Sequence, residues 1–153
     1  MSADYLTNLE EKDRLATMAH ELAHQWWGAL VGIRSWSDFW LNEGMADFMT
    51  DAFLEHYLGR EAYDQQIAAT RQRMEELRAQ GKDRPLHWEQ WKDAHEALGP
   101  LPYVKGSLFL DRLRKELSDD KFWRGIALYT FSKCASAGGF SRFRTRHGKS
   151  QRP

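Results

Sequence analysis

Residues 9–30, LEEKDRLATMAHELAHQWWGAL, decide how the chain is read. Apolar side chains recur at Leu15, Met18, Ala19, Leu22, Ala23, Trp26 and Leu30, every third or fourth position. That is the period of an amphipathic helix and not of a strand. Asn8 suits the N-cap, and Glu10 and Glu11 would meet the positive end of the helix dipole. The spacing therefore predicts a helix from Leu9 to Leu30. Within it stands His20-Glu21-Leu22-Ala23-His24. Residues four apart lie about 40° apart around a helix axis and one turn along it, so both imidazoles converge on one point. Glu21 lies about 100° round from His20, beside that point rather than in it. Two neutral nitrogen ligands with a flanking carboxylate are what a zinc peptidase needs: the imidazoles hold the metal and the carboxylate handles the proton of the attacking water. The apolar positions fall on the opposite side, so one face is expected to be core and the other chemistry.

Outward from this helix, VGIRSWSDFWL at 31–41 is short and aromatic and reads as extended chain or a tight loop. Helical patterns follow at 42–58, stopped by Gly59, and at 61–80, stopped by Gly81. The second of these has few large apolar residues and is expected on the surface. Pro85, Pro100 and Pro102 make 82–102 a loop, with one helical turn around 89–97. Two further helices are expected at 103–117 and 119–131. With no alternating strand pattern, the fold class is all-α or mainly α, a helical bundle over residues 1–131.

Composition agrees with one domain. The 153 residues are 42% hydrophobic and include 7 Trp, 5 Tyr and 8 Phe, enough for a core and too many for a disordered chain. No run approaches the ~18 apolar residues that span a bilayer, so no membrane partner is expected. The opening MSADYLTNLEEKDR is too polar for a signal peptide, and a cytoplasmic location is expected. The single cysteine, Cys134, excludes a disulfide framework and a cysteine-based zinc ribbon. The net charge of zero hides a split: residues 132–153 hold six basic side chains and no acid, and the first 131 residues carry a net −6. The tail is read as a poorly ordered, basic terminus. A nucleic-acid arm is the less favoured reading of the same charges.

A catalytic zinc needs a third protein ligand. His56, His87 and His95 are candidates by residue type. His56 lies in an apolar helical run that suits a core or boundary histidine, and His87 and His95 lie in a Trp- and Pro-rich loop that suits exposure or aromatic packing. Glu43, in Trp40-Leu41-Asn42-Glu43-Gly44-Met45-Ala46-Asp47-Phe48, is the better candidate.

HELAHQWWG and NEGMADF, with 18 residues between His24 and Glu43, together resemble the zinc aminopeptidase family typified by aminopeptidase N and leukotriene hydrolase. In that group, the gluzincins, a glutamate on the next helix completes the zinc site, so the resemblance implies one Zn²⁺ per chain held by His20, His24 and Glu43. Pro102-Tyr103-Val104-Lys105-Gly106 is similar to the family's Tyr-x-Lys-Gly segment. The resemblance gives Tyr103 the task of stabilising the tetrahedral intermediate, and a phenol can donate a hydrogen bond to a developing oxyanion. Glu21 would be the general base and acid.

The likeness covers about residues 8–131 and implies a fold resembling the C-terminal half of a thermolysin-like catalytic domain. Relatives are several-fold longer. They carry a sheet with a Gly-x-Met-Glu-Asn motif whose glutamate holds the substrate's free amino group, and these 153 residues contain no such motif. The expected activity is thus zinc-dependent hydrolysis of a peptide substrate, aminopeptidase-like, with exo- or endopeptidase action left open. The alternative is a truncated, weakly active or inert fragment whose zinc is structural. Without that sheet, apolar surface should be exposed, and a homo-oligomer is expected. The basic ending after FWRGIALYT reads as a frameshifted or truncated reading frame, with a natural divergent terminus as the alternative. Asp47 is left between partnering a ligand histidine and lying exposed, and Lys105 between contacting substrate and supporting a loop.

Overall fold

The computed structural model describes residues 11–136, with side chains to Lys133. Six helices and one 3-10 turn follow one another among them: α1 (Glu11–Ala23), the 3-10 turn (Trp36–Asp38), α2 (Trp40–Leu58), α3 (Arg60–Ala79), α4 (Ala94–Ala97), α5 (Leu101–Leu117) and α6 (Asp119–Ser136). No strand occurs among the described residues, and the only β-type pairing recorded there is an isolated bridge between Trp27 and Val31. The expected all-α architecture is what the chain adopts. None of these helices is long and apolar enough to cross a membrane.

α2 is the helix on which the others gather, with α1, α3 and α5 packed against it. Its sequence explains this. Glu43, Gly44, Met45, Ala46, Phe48, Thr50, Asp51 and Leu54 are all buried, too many directions for a helix with only one covered face. Phe48 meets Phe122 of α6 edge-on at 5.2 Å between ring centroids, and Tyr63, Ile67 and Leu110 complete the same core. Each such side chain contributes roughly 1.5–3 kcal/mol by leaving water. A second cluster joins Met74 and Leu77 of α3 to Leu101 and Val104 of α5. The buried Arg114 ties three elements: it donates to Glu55 of α2 at 2.5 Å and, through two nitrogens, to Asp119 at the start of α6.

α2 and α5 cross at a pair of glycines. A Cβ on Gly44 would stand 2.6 Å from the Gly106 Cα, and one on Gly106 would stand 2.7 Å from the Gly44 Cα. Only hydrogen fits at either position. This contact lies one residue from Glu43 and one helical turn from Tyr103, so the backbone approach sets those two side chains beside each other.

The helix expected from Leu9 to Leu30 ends at Ala23, and its expected cap, Asn8, lies outside the described residues. Beyond Ala23 the chain folds back on itself: Gly28 N–H donates to the Val31 carbonyl and Val31 N–H to that of Trp26. Gly28 has φ +139°, a conformation that side chains rarely adopt and that cannot continue a helix. Trp26 and Leu30 keep the helical period in sequence while standing in a turn.

The core face expected for α1 also differs. Ala23 is buried, but Met18 and Leu22 are each 61% exposed and Trp26 is 49% exposed. These residues line a groove of about 630 Å³ together with Met49, Phe53 and Ile126. Among the described residues nothing covers it. The surface helix expected at 61–80 is α3, and it buries an inner stripe of Tyr63, Ile67, Met74 and Leu77. α6 runs to Ser136, past the Phe131 at which its periodicity fades, and the rest of the basic tail, residues 137–153, lies outside the described residues.

Candidate metal centre

His20 and His24 occupy the last turn of α1 and the residue just beyond it. The His24 N–H still donates to the His20 carbonyl at 3.3 Å, so helical geometry persists far enough to align the two rings. Their Nε2 atoms lie 3.1 Å apart. Glu43, 9% exposed in the first turn of α2, brings Oε2 to 3.4 Å from each of them. Among the described residues these three form the one group of His, Cys, Asp or Glu able to hold a metal ion.

The outer faces of the rings settle their tautomers. His20 Nδ1 lies 2.8 Å from Asp47 Oδ1, and His24 Nδ1 lies 3.0 Å from the Trp27 carbonyl oxygen. An ionised carboxylate and a carbonyl can only accept, so each Nδ1 carries a hydrogen and each Nε2 presents a lone pair inward. Three electron-pair donors then face one another, which is unfavourable unless a cation stands between them. Tetrahedral ligands at the ~2.0–2.1 Å typical of zinc are about 3.3 Å from each other. The observed 3.1, 3.4 and 3.4 Å edges fit that triangle. Without a metal a proton takes this place. Burial pulls the His20 pKa down, but hydrogen bonds to Asp47 and Glu43 outweigh it and push the group up to about 9.

Tyr103, near the start of α5, stacks on His20 with ring centroids 6.2 Å apart and planes inclined by 13°. Phe39 also meets it edge-on, at 6.4 Å between ring centroids. Burial first, and then the Glu43 carboxylate, push the phenol up to about 12, so its hydroxyl keeps its proton and remains a donor. Glu21 is exposed on α1, outside the ligand triangle, and its charge is felt at Tyr103. The other histidines do not join the cluster. His56 is exposed near the end of α2, contrary to the core or boundary setting expected of it. His87 is exposed and pairs with Asp38 at 2.7 Å, and His95 is exposed in α4.

Two supports of the site have no counterpart in the sequence reading. One is the turn that presents the Trp27 carbonyl to His24. A Cβ at Gly28 would lie 3.4 Å from the His24 carbonyl oxygen and 3.7 Å from its Nδ1, besides being strained at that φ. A glycine directly after two tryptophans is the signal that would have marked it. The other is the Gly44–Gly106 crossing, which no local pattern announces. Lys105 resolves as a loop support: its Nζ donates to Asp83 Oδ1 at 2.5 Å and to the Arg84 carbonyl at 2.6 Å.

Comparison with known proteins accords with this arrangement. The chain is 33% identical over 137 residues to probable aminopeptidase 1 of Saccharolobus solfataricus, covering 83% of this chain and 17% of that protein. It is 36% identical over 120 residues to endoplasmic reticulum aminopeptidase 1 of Homo sapiens, covering 74% of this chain and 12% of the relative. To aminopeptidase N of Homo sapiens it is 34% identical over 131 residues, with 77% and 13% covered. The chain thus spans an eighth to a fifth of the length of the curated relatives it matches. No solved structure matches it. Residues 2–138 match the peptidase family M1 domain, and the chain belongs to that family.

Proposed function

We propose that the chain is a zinc-dependent metallopeptidase of the aminopeptidase type, with His20, His24 and Glu43 as the metal ligands. The observation that carries this reading is the triangle of two imidazole Nε2 atoms and one carboxylate oxygen at zinc-like spacing. When bound, Zn²⁺ would supply Lewis acidity toward water and the scissile carbonyl. Glu21, exposed beside the triangle, accepts a proton from the attacking water and returns it to the leaving amine. Tyr103 donates a hydrogen bond to the oxyanion as negative charge develops, and its raised pKa keeps that hydrogen available throughout the neutral range. The aminopeptidase names of the relatives support the reaction class.

One observation favours a second reading, a structural zinc. The apolar face of α1 is open, and on its other face His20 and His24 meet Glu43 and Asp47 of α2. A metal there would stabilise the fold whether or not it catalyses. The test combines metal analysis with two peptides of one sequence, one with a free amino terminus and one blocked. Zinc at one per chain with cleavage of either peptide supports the enzyme, and the pattern separates exo- from endopeptidase. Zinc at one per chain with neither cleaved favours the structural reading. Absence of stoichiometric zinc overturns both.

A further inference from the structure

The two ligand histidines are braced differently, and the difference lies on α2. His24 is held by a main-chain carbonyl, that of Trp27, three residues along its own chain. His20 is held across a helix interface, by the Asp47 carboxylate at 2.8 Å. Asp47 stands one turn after Glu43, so α2 offers one carboxylate inward toward the lone-pair triangle and a second to the back of the first ring. The two i, i+4 pairs, His20 with His24 and Glu43 with Asp47, interlock: Glu43 Oε2 completes a triangle with the two Nε2 atoms, 3.4 Å from each, and Asp47 lies at the back of the His20 ring. The His20 ring is thereby fixed on three sides, by Asp47 at Nδ1, by Glu43 near Nε2, and by Tyr103 stacked on its face.

From this placement we infer that Asp47 is a positioning residue for the metal centre, acting through His20 on metal affinity and geometry. This rests on the proposed metal-binding role of His20, His24 and Glu43. A carboxylate accepting from Nδ1 fixes the tautomer that frees Nε2, sets the rotation of the ring, and raises the electron density available at the ligating nitrogen. A carbonyl, as on His24, does the first two without a full charge. The side chain of Asp47 is 36% exposed beside a polar cavity of about 300 Å³ that Thr17, Gln66 and Arg73 also line, so it holds the ring from a solvent-accessible position.

The test uses the full chain and its Asp47→Ala and Asp47→Asn variants. Zn²⁺ affinity is read by competition with a chromophoric chelator, and Co²⁺ substitution gives a visible spectrum that reports ligand geometry. Asp47→Ala should weaken Zn²⁺ binding about 10- to 100-fold and alter the Co²⁺ bands. Asp47→Asn keeps an oxygen that can accept from Nδ1 and should recover the bands and part of the affinity. Metal-free helix content and melting temperature should match the wild type, since a merely structural carboxylate would move those instead. Wild-type Zn²⁺ affinity in both variants overturns the inference and leaves the ligand assignment standing. A wild-type chain that binds no Zn²⁺ overturns both. Should the alanine variant fail to fold, the asparagine variant decides: a loss of affinity relative to wild type supports the role, and unchanged affinity refutes it.

Discussion

The two sides of α1 differ more than their shared helical period suggests. On one side His20 and His24 have every ring nitrogen within hydrogen-bonding distance of a partner, supplied by α2, by the following turn and by each other. On the other side Met18, Leu22 and Trp26 line an open groove with Phe53 and Ile126. Convergence of two side chains four residues apart is a property of the helix itself and needs no neighbour. Burial of an apolar stripe requires something to lie against it. One segment therefore encodes a self-sufficient half-site and an apolar stripe that nothing among the described residues covers.

The largest expected effect probes the chemical side. Replacing Glu21 with Gln removes the proton acceptor and leaves all three metal-facing atoms in place. Peptide hydrolysis should fall by about 10²- to 10⁴-fold, while zinc stays at one per chain. Retained turnover in that variant would take Glu21 out of the mechanism. Next in size is the crossing that joins the chemical side to α5. Gly106→Ala puts a methyl 2.7 Å from the Gly44 Cα, and backbone cannot yield as a side chain would. A destabilisation of about 2–3 kcal/mol in urea titration is expected, with weaker metal binding as Glu43 and Tyr103 separate. Equal stability of variant and wild type would show that the helices slide apart freely.

The open side should respond to charge. We propose a second copy of the chain as the occupant of the groove; wild-type protein should then sediment with a concentration-dependent mass. Leu22→Glu, at a position already 61% exposed, should weaken that association by roughly thirtyfold, about 2 kcal/mol, with the monomer fold intact. A wild-type chain that remains monomeric across the concentration series would remove the groove from consideration as a self-association surface.

These contrasts also show why some of the molecule was legible and some was not. The α-helical class, the His20/His24 convergence and the helices that became α2, α3 and α5 follow from periodicity and glycine stops, which are local. Glu43 required the 18-residue gap and its resemblance to a known pattern, because nothing in a helix-start glutamate says what it faces. The end of α1 was hidden by Trp26 and Leu30, which satisfy the period without being helical. Gly44 and Gly106 are 62 positions apart, and their contact is a tertiary fact with no local trace. Asp47 was ambiguous for the same reason: whether it faced solvent or His20 depended on how α1 lies across α2.

The smallest expected effect concerns the buried acid next to this seam, and it carries a sign. Asp51 on α2 is 6% exposed and accepts from the Ser107 hydroxyl of α5 at 3.1 Å. Burial pushes its pKa up to about 7; Asp47 and Asp111 add to the rise, and Ser107 and Arg73 of α3 oppose it. The native chain therefore holds a proton that the unfolded chain releases at an ordinary carboxylate pKa of about 4. Stability from this group is full below that value, is lost as pH rises toward 7, and levels off above. Asp51→Asn has no ionisation to suppress. Relative to wild type, its stability should improve by about 1.4 kcal/mol between pH 6 and pH 8, measured with chelator present so that metal occupancy does not change with pH. A difference that stays constant over that range would mean that Asp51 ionises at an ordinary pKa, and that the polar side of α2 is as open to water as the groove behind α1.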